Sequence, residues 1–348
     1  MASRTKGDAK REVPTSADVA KVVGVSRATV SLVMNGTASK VRISEETREK
    51  VRAVAAQLGY RPNHAARSLR QRRTRSIAVV LPTLANPYYY EVVLGAQAAA
   101  RAAGYTVAVI LSDRLPEGLE ALEGSAFDGV IVAGRRNAAS PKLSQLAAHG
   151  VAVIVLQQDS PDPLVRSVRV DLEAGGYMAT RHLIDLGHRR IAYITEPRPD
   201  NCRLPDRADG YHRALEEAGI AVDPALTITI DNTMAGGAQA VERLLALPER
   251  PTAIFAYNDM MAVGALSGLR SRGLSVPGDV AVVGFDGIAM GGFVTPTLTT
   301  IDHPRDLLGR VAVTTVIDAI EHRASPDAAV PLPVTLVVRE SCGGTAPP

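Results

Sequence analysis

The 348-residue chain has two cysteines, no tryptophan and four phenylalanines. Cys202 and Cys342 stand far apart. That excludes a disulfide framework and a cysteine-spaced metal site, and a reducing cytoplasm is the expected location. No apolar run is long enough to span a bilayer, so no membrane partner is expected. The opening MASRTKGDAKRE carries no apolar core of a secretory signal. Glycine-rich phosphate loops, a nucleophile elbow and a metalloprotease helix are all missing. With neither a nucleophile–base pair nor a cofactor loop, no enzyme and no cofactor is expected.

Charge is present in quantity and is unevenly placed. The net charge is +3, yet residues 1–75 hold 17 basic against 6 acidic side chains and the remainder 22 against 30. A basic head on an acidic body points to a polyanion partner for the head alone.

The head opens with TSADVAKVVGVSRATVSLVMNG. Thr15 is placed to cap a helix, with Asp18 as the capping-box acid. Val19, Ala20 and Val23 form its apolar face. Gly24 allows a sharp turn, and Ser26 can cap a second helix. In that helix Val30, Val33 and Met34 share one side, while Arg27, Ala28 and Ser31 take the other. Small Ala20, the glycine and β-branched Val30 at this spacing suit a helix-turn-helix. The outer face is lean enough for a major groove. Arg27 can bond guanine, Ala28 can touch a thymine methyl, and Ser26, Ser31 and Asn35 can donate to phosphates. An ordinary helical hairpin would satisfy the same pattern.

A third helix follows, capped by Ser44, with Val51, Val54, Ala55 and Leu58 in one stripe and Gly59 at its end. Arg42, just before it, is a candidate for phosphate or base. In RPNHAARSLRQRRTRS, Asn63 can cap a helix over about 64–70, too short to persist alone in water. Arg61, Arg67, Arg70, Arg72, Arg73 and Arg75 flank it. Such a segment is expected to fold on a polyanion. Leu69, its one large apolar residue, fits a wedge between base steps in a minor groove. A flexible basic linker with Leu69 docked on the body fits equally.

From residue 76 on, apolar strands such as SIAVVLP, DGVIVAG and VAVIVLQ alternate with helices. The alternation resumes at RRIAYITEP, LTITID, TAIFAYND and DVAVVGFD. Runs of this kind suit parallel strands buried on both faces. Two βα series predict two lobes of doubly wound sheet. The expected parts are a tail (1–13), a helix-turn-helix head (14–60), a hinge (61–75) and a body (76–341). Lobe one is expected over 76–170 and 300–325, and lobe two over 171–297 and 330–341. Ligands in such sheets sit beyond the C-terminal strand ends. The polar residues there are Asn86, Tyr88, Tyr89, Arg135, Arg136, Gln157, Asp159, Arg203, Arg207, Asn258, Asp259 and Asp286. Converging on a cleft, they suit a polyhydroxylated or heterocyclic ligand. Singly, each is also what a loop, a cap or a surface ion pair carries. His188, in a turn before a strand, reads as a structural hydrogen-bonding residue.

The segments DVAKVVGVSRATVSLVMNG, SEETREKVRAVAAQLGYRPNHAARSLR, RHLIDLGHRRIAYI, RADGYHRALEEAGI, PTAIFAYNDMMAVGAL, VPGDVAVVGFDG and TPTLTTIDHP occur in this order. With them the chain resembles the lactose repressor family of bacterial transcription regulators over nearly all of residues 14–341. The resemblance implies a three-helix head, a hinge helix and a two-lobed body like periplasmic binding proteins. It implies that Arg27 and Ala28 read bases, with Leu32 one turn further on, that Arg42 contacts DNA and that Leu69 opens the central minor-groove step. In the body it makes Tyr89, Arg207, Asn258, Asp286 and Asp171 effector-binding positions. Asn232 stands where many sugar-binding members carry an aromatic, so stacking would rest on Tyr88 or Tyr89. Gln157 stands where an acid is common. Arg135 and Arg136 suit an anionic effector, or are two solvated loop arginines. The chain stops at RESCGGTAPP without a heptad tail, so a homodimer is expected. The implied function is an effector-controlled repressor on a pseudo-palindromic double-stranded operator, cytoplasmic and nucleoid-associated when bound. The rival readings are a sugar sensor without DNA binding and a cleft enzyme.

Overall fold

The structure, a computed structural model, describes residues 14–35, 43–60, 73–112, 115–120, 122, 127–134, 140–158, 160–197, 206–322 and 331–344. It falls into two compact units, Met1–Thr74 and Arg75–Pro348.

Among its described residues the first unit holds three helices, α1 (Ser16–Val23), α2 (Arg27–Asn35) and α3 (Glu45–Leu58). Their ends follow local chemistry. Asp18 accepts from the Thr15 backbone N–H at 2.8 Å and from its hydroxyl at 2.7 Å. Those bonds, the hydroxyl's first, hold the Asp18 carboxyl below its ordinary value. Gly24 turns the chain with φ +79°, a conformation that costs other residues a clash at Cβ. Ser26 and Ser44 accept from the N–H groups of Thr29 and Thr47 at 3.0 and 3.3 Å, capping α2 and α3. Val19, Ala20, Val30, Val33, Val51 and Ala55 form the small buried core.

The second unit contains two sheets. The first runs β1 (Ser76–Leu81), β2 (Thr106–Leu111), β3 (Gly129–Val132), β4 (Ala152–Leu156) and β5 (Val165–Val168) in the order β2-β1-β3-β4-β5, all parallel. The second runs β6 (Ile191–Thr195), β7 (Thr227–Thr229), β8 (Ala253–Ala256), β9 (Ala281–Asp286), β10 (Thr299–Asp302) and β11 (Thr335–Val337) in the order β11-β10-β9-β8-β6-β7. Only β11 is antiparallel. In each sheet the strand order reverses beside the first strand, which opens a crevice at the strand ends. β3 and β8 are buried at every residue, as strands covered on both faces must be.

Six further helices bear on the argument: α4 (Pro87–Ala102), α7 (Leu172–Asp185), α8 (Arg207–Glu217), α9 (Met234–Leu245), α10 (Asp259–Ser271) and α11 (Arg305–Ile320), with α5 (Leu115–Glu120) and α6 (Pro141–Ala148) between β2 and β4. They meet in pairs at glycines. A methyl group on Gly95 of α4 would overlap the Asp306 carbonyl of α11, and one on Gly309 the Val92 carbonyl. The same holds for Gly176 and Gly210 between α7 and α8, and for Gly237 and Gly264 between α9 and α10. Backbones in these pairs touch directly.

One expected boundary is corrected. Of residues 300–325, expected in lobe one, β10 instead pairs in parallel with β9 in the second sheet. Only α11 crosses back, packing on α4, β3 and β4. The apolar text of a strand does not say which sheet it joins. The chain therefore passes between the lobes after β5, after β10 and between α11 and β11. The outer two passages are stitched together: Asp171 N–H donates to the Leu332 carbonyl at 3.0 Å, and Leu332 N–H to the Arg169 carbonyl at 2.8 Å.

Gly309→Ala should destabilise the second unit by about 1–3 kcal/mol, because the backbone it would strike cannot rotate away. Thermal unfolding of the full chain reads this as a lowered midpoint. An unchanged midpoint would mean that α4 and α11 have room to spare.

Candidate functional site

In the head, α2 buries Val30 and Val33 and leaves Arg27 and Ala28 exposed at its first turn. Ser31 and Leu32 are half-buried. Ser26 is engaged in capping, with its hydroxyl also 2.9 Å from that of Thr29. The side chain of Asn35 lies outside the described residues, as do Arg42, Asn63, Arg67 and Leu69. So do Arg135, Arg136, Asp159 and Arg203 of the body.

In the body the second lobe buries a guanidinium. Arg207, the first residue of α8, is 6% exposed. Its Nη2 donates to Asp286 Oδ1 at 3.3 Å. Its plane lies between two rings, 4.0 Å from the Phe285 centroid and 4.4 Å from that of Tyr257. A guanidinium stays charged, so burial demands a carboxylate and aromatic faces, and both are supplied. Asp286 ends β9 with φ +105°, which an aspartate holds only where its surroundings over-determine it. His303 Nε2 stands 3.7 Å from the same oxygen. Both His303 ring nitrogens are buried without a hydrogen bond among the described residues.

The crevice of the second sheet, between the ends of β6 and β8, carries a chain of amides. Asn258 caps α10 by accepting from Met261 N–H at 2.9 Å and donates through Nδ2 to Asn232 Oδ1 at 2.7 Å. Asn232 in turn donates to Glu196 Oε2 at 2.9 Å. Across from this wall the first lobe presents Tyr88 and Tyr89 at the start of α4, edge to face with centroids 4.9 Å apart. Asn86 caps that helix, accepting from Tyr88 N–H at 3.0 Å. Burial, and then the Asp286 carboxylate, push the Tyr88 hydroxyl's ionisation upward. Tyr89 is pushed the same way by burial and then by Tyr88, with Tyr257, Glu196 and Asp286 of the other lobe adding to it. The two tyrosines therefore remain neutral phenols within reach of lobe two. Gln157 hydrogen-bonds the Tyr88 hydroxyl and accepts from Val170 N–H at 2.8 Å.

Tyr88, Tyr89, Arg207, Asn258 and Asp286 thus come together. Asp171 is exposed and caps α7, accepting from Ala174 N–H at 2.9 Å. Asp259, one of the polar strand-end residues, is a correction: it faces inward and is fully buried. It accepts from Thr300 Oγ1 at 2.5 Å and from Ile288 N–H at 2.8 Å, bracing the turn that carries Asp286. His188 Nδ1 meets Thr252 Oγ1 at 2.9 Å, a structural bond. Sequence reasoning passed over Glu196, His303 and Arg305. Among the described residues, no group of three or more His, Cys, Asp or Glu could hold a metal ion, and no helix is long and apolar enough to cross a membrane.

Two family models match the chain: "Bacterial regulatory proteins, lacI family" over residues 15–63 and "Periplasmic binding protein-like domain" over residues 180–342. The chain is 36% identical over 315 residues to the ribose operon repressor of Escherichia coli K12, covering 89% of this chain and 92% of that protein. It is 32% identical over 328 residues to catabolite control protein A of Priestia megaterium, covering 93% and 98%. A solved structure of the Lac repressor dimer bound to operator and an anti-inducer matches with a TM-score of 0.83 at 29% identity, covering 95% of this chain and 99% of that one.

Burial, and then the neighbouring Asp286 carboxylate, raise the Asp259 carboxyl well above its ordinary 3.8. Its folded-state pKa is raised, so the stability it contributes is present below 3.8 and is lost as pH climbs through the raised value. Asp259→Asn can accept from Ile288 N–H through its oxygen and donate to Thr300 Oγ1 through its amide nitrogen, and it does not titrate. In thermal unfolding scans it should gain on the wild type as pH rises above 3.8; a constant difference at all pH values would contradict the buried, protonated carboxyl.

Proposed function

This chain belongs to the lacI family of bacterial regulatory proteins, and from that premise we propose how it works as a DNA-binding transcriptional repressor answering to a small-molecule effector. The observation that carries the reading is the buried Arg207, held by Asp286 between Tyr257 and Phe285 and facing Tyr88 and Tyr89 of the other lobe. A fixed fork of donors beside a carboxylate, an amide chain and neutral phenols suits a ligand with several hydroxyls or ring heteroatoms. The proposed effector is a sugar or a related metabolite. Arg207, Asp286, Asn258, Tyr88 and Tyr89 bind it, and Asp171 lies at the lobe crossing.

The head, residues 14–60, reads the operator through α2. Arg27 and Ala28 meet base edges, with Leu32 behind them. Ser26, Ser31 and Asn35 serve the phosphates and fix register, and Arg42 meets phosphate or base. In the segment 61–75, Asn63, Arg67 and Leu69 fold against the minor groove. Two copies of the chain bind a pseudo-palindrome, because dimer symmetry must match operator symmetry. Effector binding changes the angle between lobes. A coupling of about 1–3 kcal/mol changes operator affinity roughly 5–150-fold. No catalytic step is proposed. A regulator of this kind works in the cytoplasm, on chromosomal DNA.

Two outcomes follow. On an operator selected from random duplexes, Arg27→Ala should lose about 1–3 kcal/mol and relax preference at one base pair. An equal loss on every sequence would remove direct readout. In a thermal-shift screen of pentoses, hexoses, disaccharides and nucleobases, Arg207→Ala should lose the response to any compound that stabilises the wild type, with operator affinity kept. A normal response would take Arg207 out of the site.

A further inference from the structure

The first residue of α11 touches both lobes. Arg305 Nε donates to Glu91 Oε2 of α4, in lobe one, at 2.8 Å. Its Nη1 donates to Asp302 Oδ1 at 2.6 Å, to the His303 carbonyl at 3.1 Å and to the main-chain carbonyl of Asp286. The guanidinium is 10% exposed, so solvent screens these bonds little. Glu91 stands just past Tyr88 and Tyr89 on the first turns of α4. One planar fork therefore joins the helix that presents the tyrosines to the residue that holds Arg207.

Asp286 is pinned from several sides at once. Arg207 meets its carboxylate, and Arg305 takes its carbonyl. The two residues after it are anchored too: Gly287 N–H donates to Thr300 Oγ1 at 3.3 Å and Ile288 N–H to Asp259 at 2.8 Å. A left-handed aspartate is held in that conformation only by such surroundings. A change in the turn that carries Asp286 therefore moves an acceptor of Arg305.

We infer that Arg305 is a positioning residue that ties α4 to the Asp286 turn through Glu91, so that the cleft and the angle between the lobes are set by one side chain. The inference gains its purpose from the cleft being the effector site, but its test needs no effector.

The test places spin labels at Arg101 on lobe one and Arg250 on lobe two, both exposed. It uses the full chain with both cysteines replaced by serine, diluted with unlabelled chain. Pulsed dipolar spectroscopy then reads the separation of the lobes. The wild-type background should give one narrow distance. Glu91→Ala and Arg305→Met should broaden it and add longer separations. Glu91→Gln keeps an acceptor and should restore most of the narrow distribution. Leu244→Ala, a core change in lobe two away from the link, should lower thermal stability and leave the distances alone. Wild-type distances in Glu91→Ala would overturn the link whatever the cleft binds. Equal broadening in Leu244→Ala would overturn it as mere loosening. If Arg305→Met fails to fold, Glu91→Ala alone decides. Broadening in a chain whose Arg207→Ala variant still answers every stabilising compound would keep the link and remove the cleft reading.

Discussion

A guanidinium cannot shed its proton to enter a protein interior, and Arg207 has been taken inside. An isolated charge there would cost several kcal/mol even after relaxation. The wall of the cleft is organised around avoiding that cost. Asp286 supplies the opposite charge, and Phe285 and Tyr257 supply faces for the cation. To reach Arg207, Asp286 leaves the ordinary strand conformation. The turn after it must then be held, and Asp259 and Thr300 hold it. A second buried carboxyl next to Asp286 is tolerated because Asp259 keeps its proton more tightly than usual.

The helix packing serves the same residue. Gly176 of α7 lies against the backbone of Arg207 itself, and Gly210 of α8 lies against Glu173 and Tyr177. The start of α8 is therefore set by contact between main chains, which do not change rotamer. Long side chains at this crossing would have moved Arg207 away from Asp286. The same device between α4 and α11 fixes Tyr88 and Tyr89 on the opposite wall.

Much of this is legible in the sequence. Strands buried on both faces, such as AVIVL of β4, read as continuous apolar runs, and the rule of strand ends picks out Arg207, Asn258 and Asp286. β5 escapes, since VRSV at a sheet edge buries only its first and last residues and leaves no run. Arg305 and His303 escape for a different reason. HPRD follows β10, and with that strand given to the wrong lobe its polar end points nowhere. Assigned beside β9, it falls under the same strand-end rule. Glu196 also stands at a strand end, in ITEP, but only its bond to Asn232 reveals its place. Asp259 misleads in the other direction, because adjacency to Asn258 in sequence does not say which of the two faces the cleft. The glycine crossings carry no signal in one sequence, where a glycine inside a helix reads only as a weak point.

Asp286 does two jobs with two different parts of itself. Its carboxylate meets Arg207, whereas Arg305 takes hold of its peptide oxygen. Every amino acid has that oxygen. Side chains elsewhere in the cleft can therefore change the chemistry that is recognised, while Asp286 is kept and the connection to the neighbouring lobe with it. Preference for one small molecule over another and the machinery that reports its arrival are free to evolve on separate schedules.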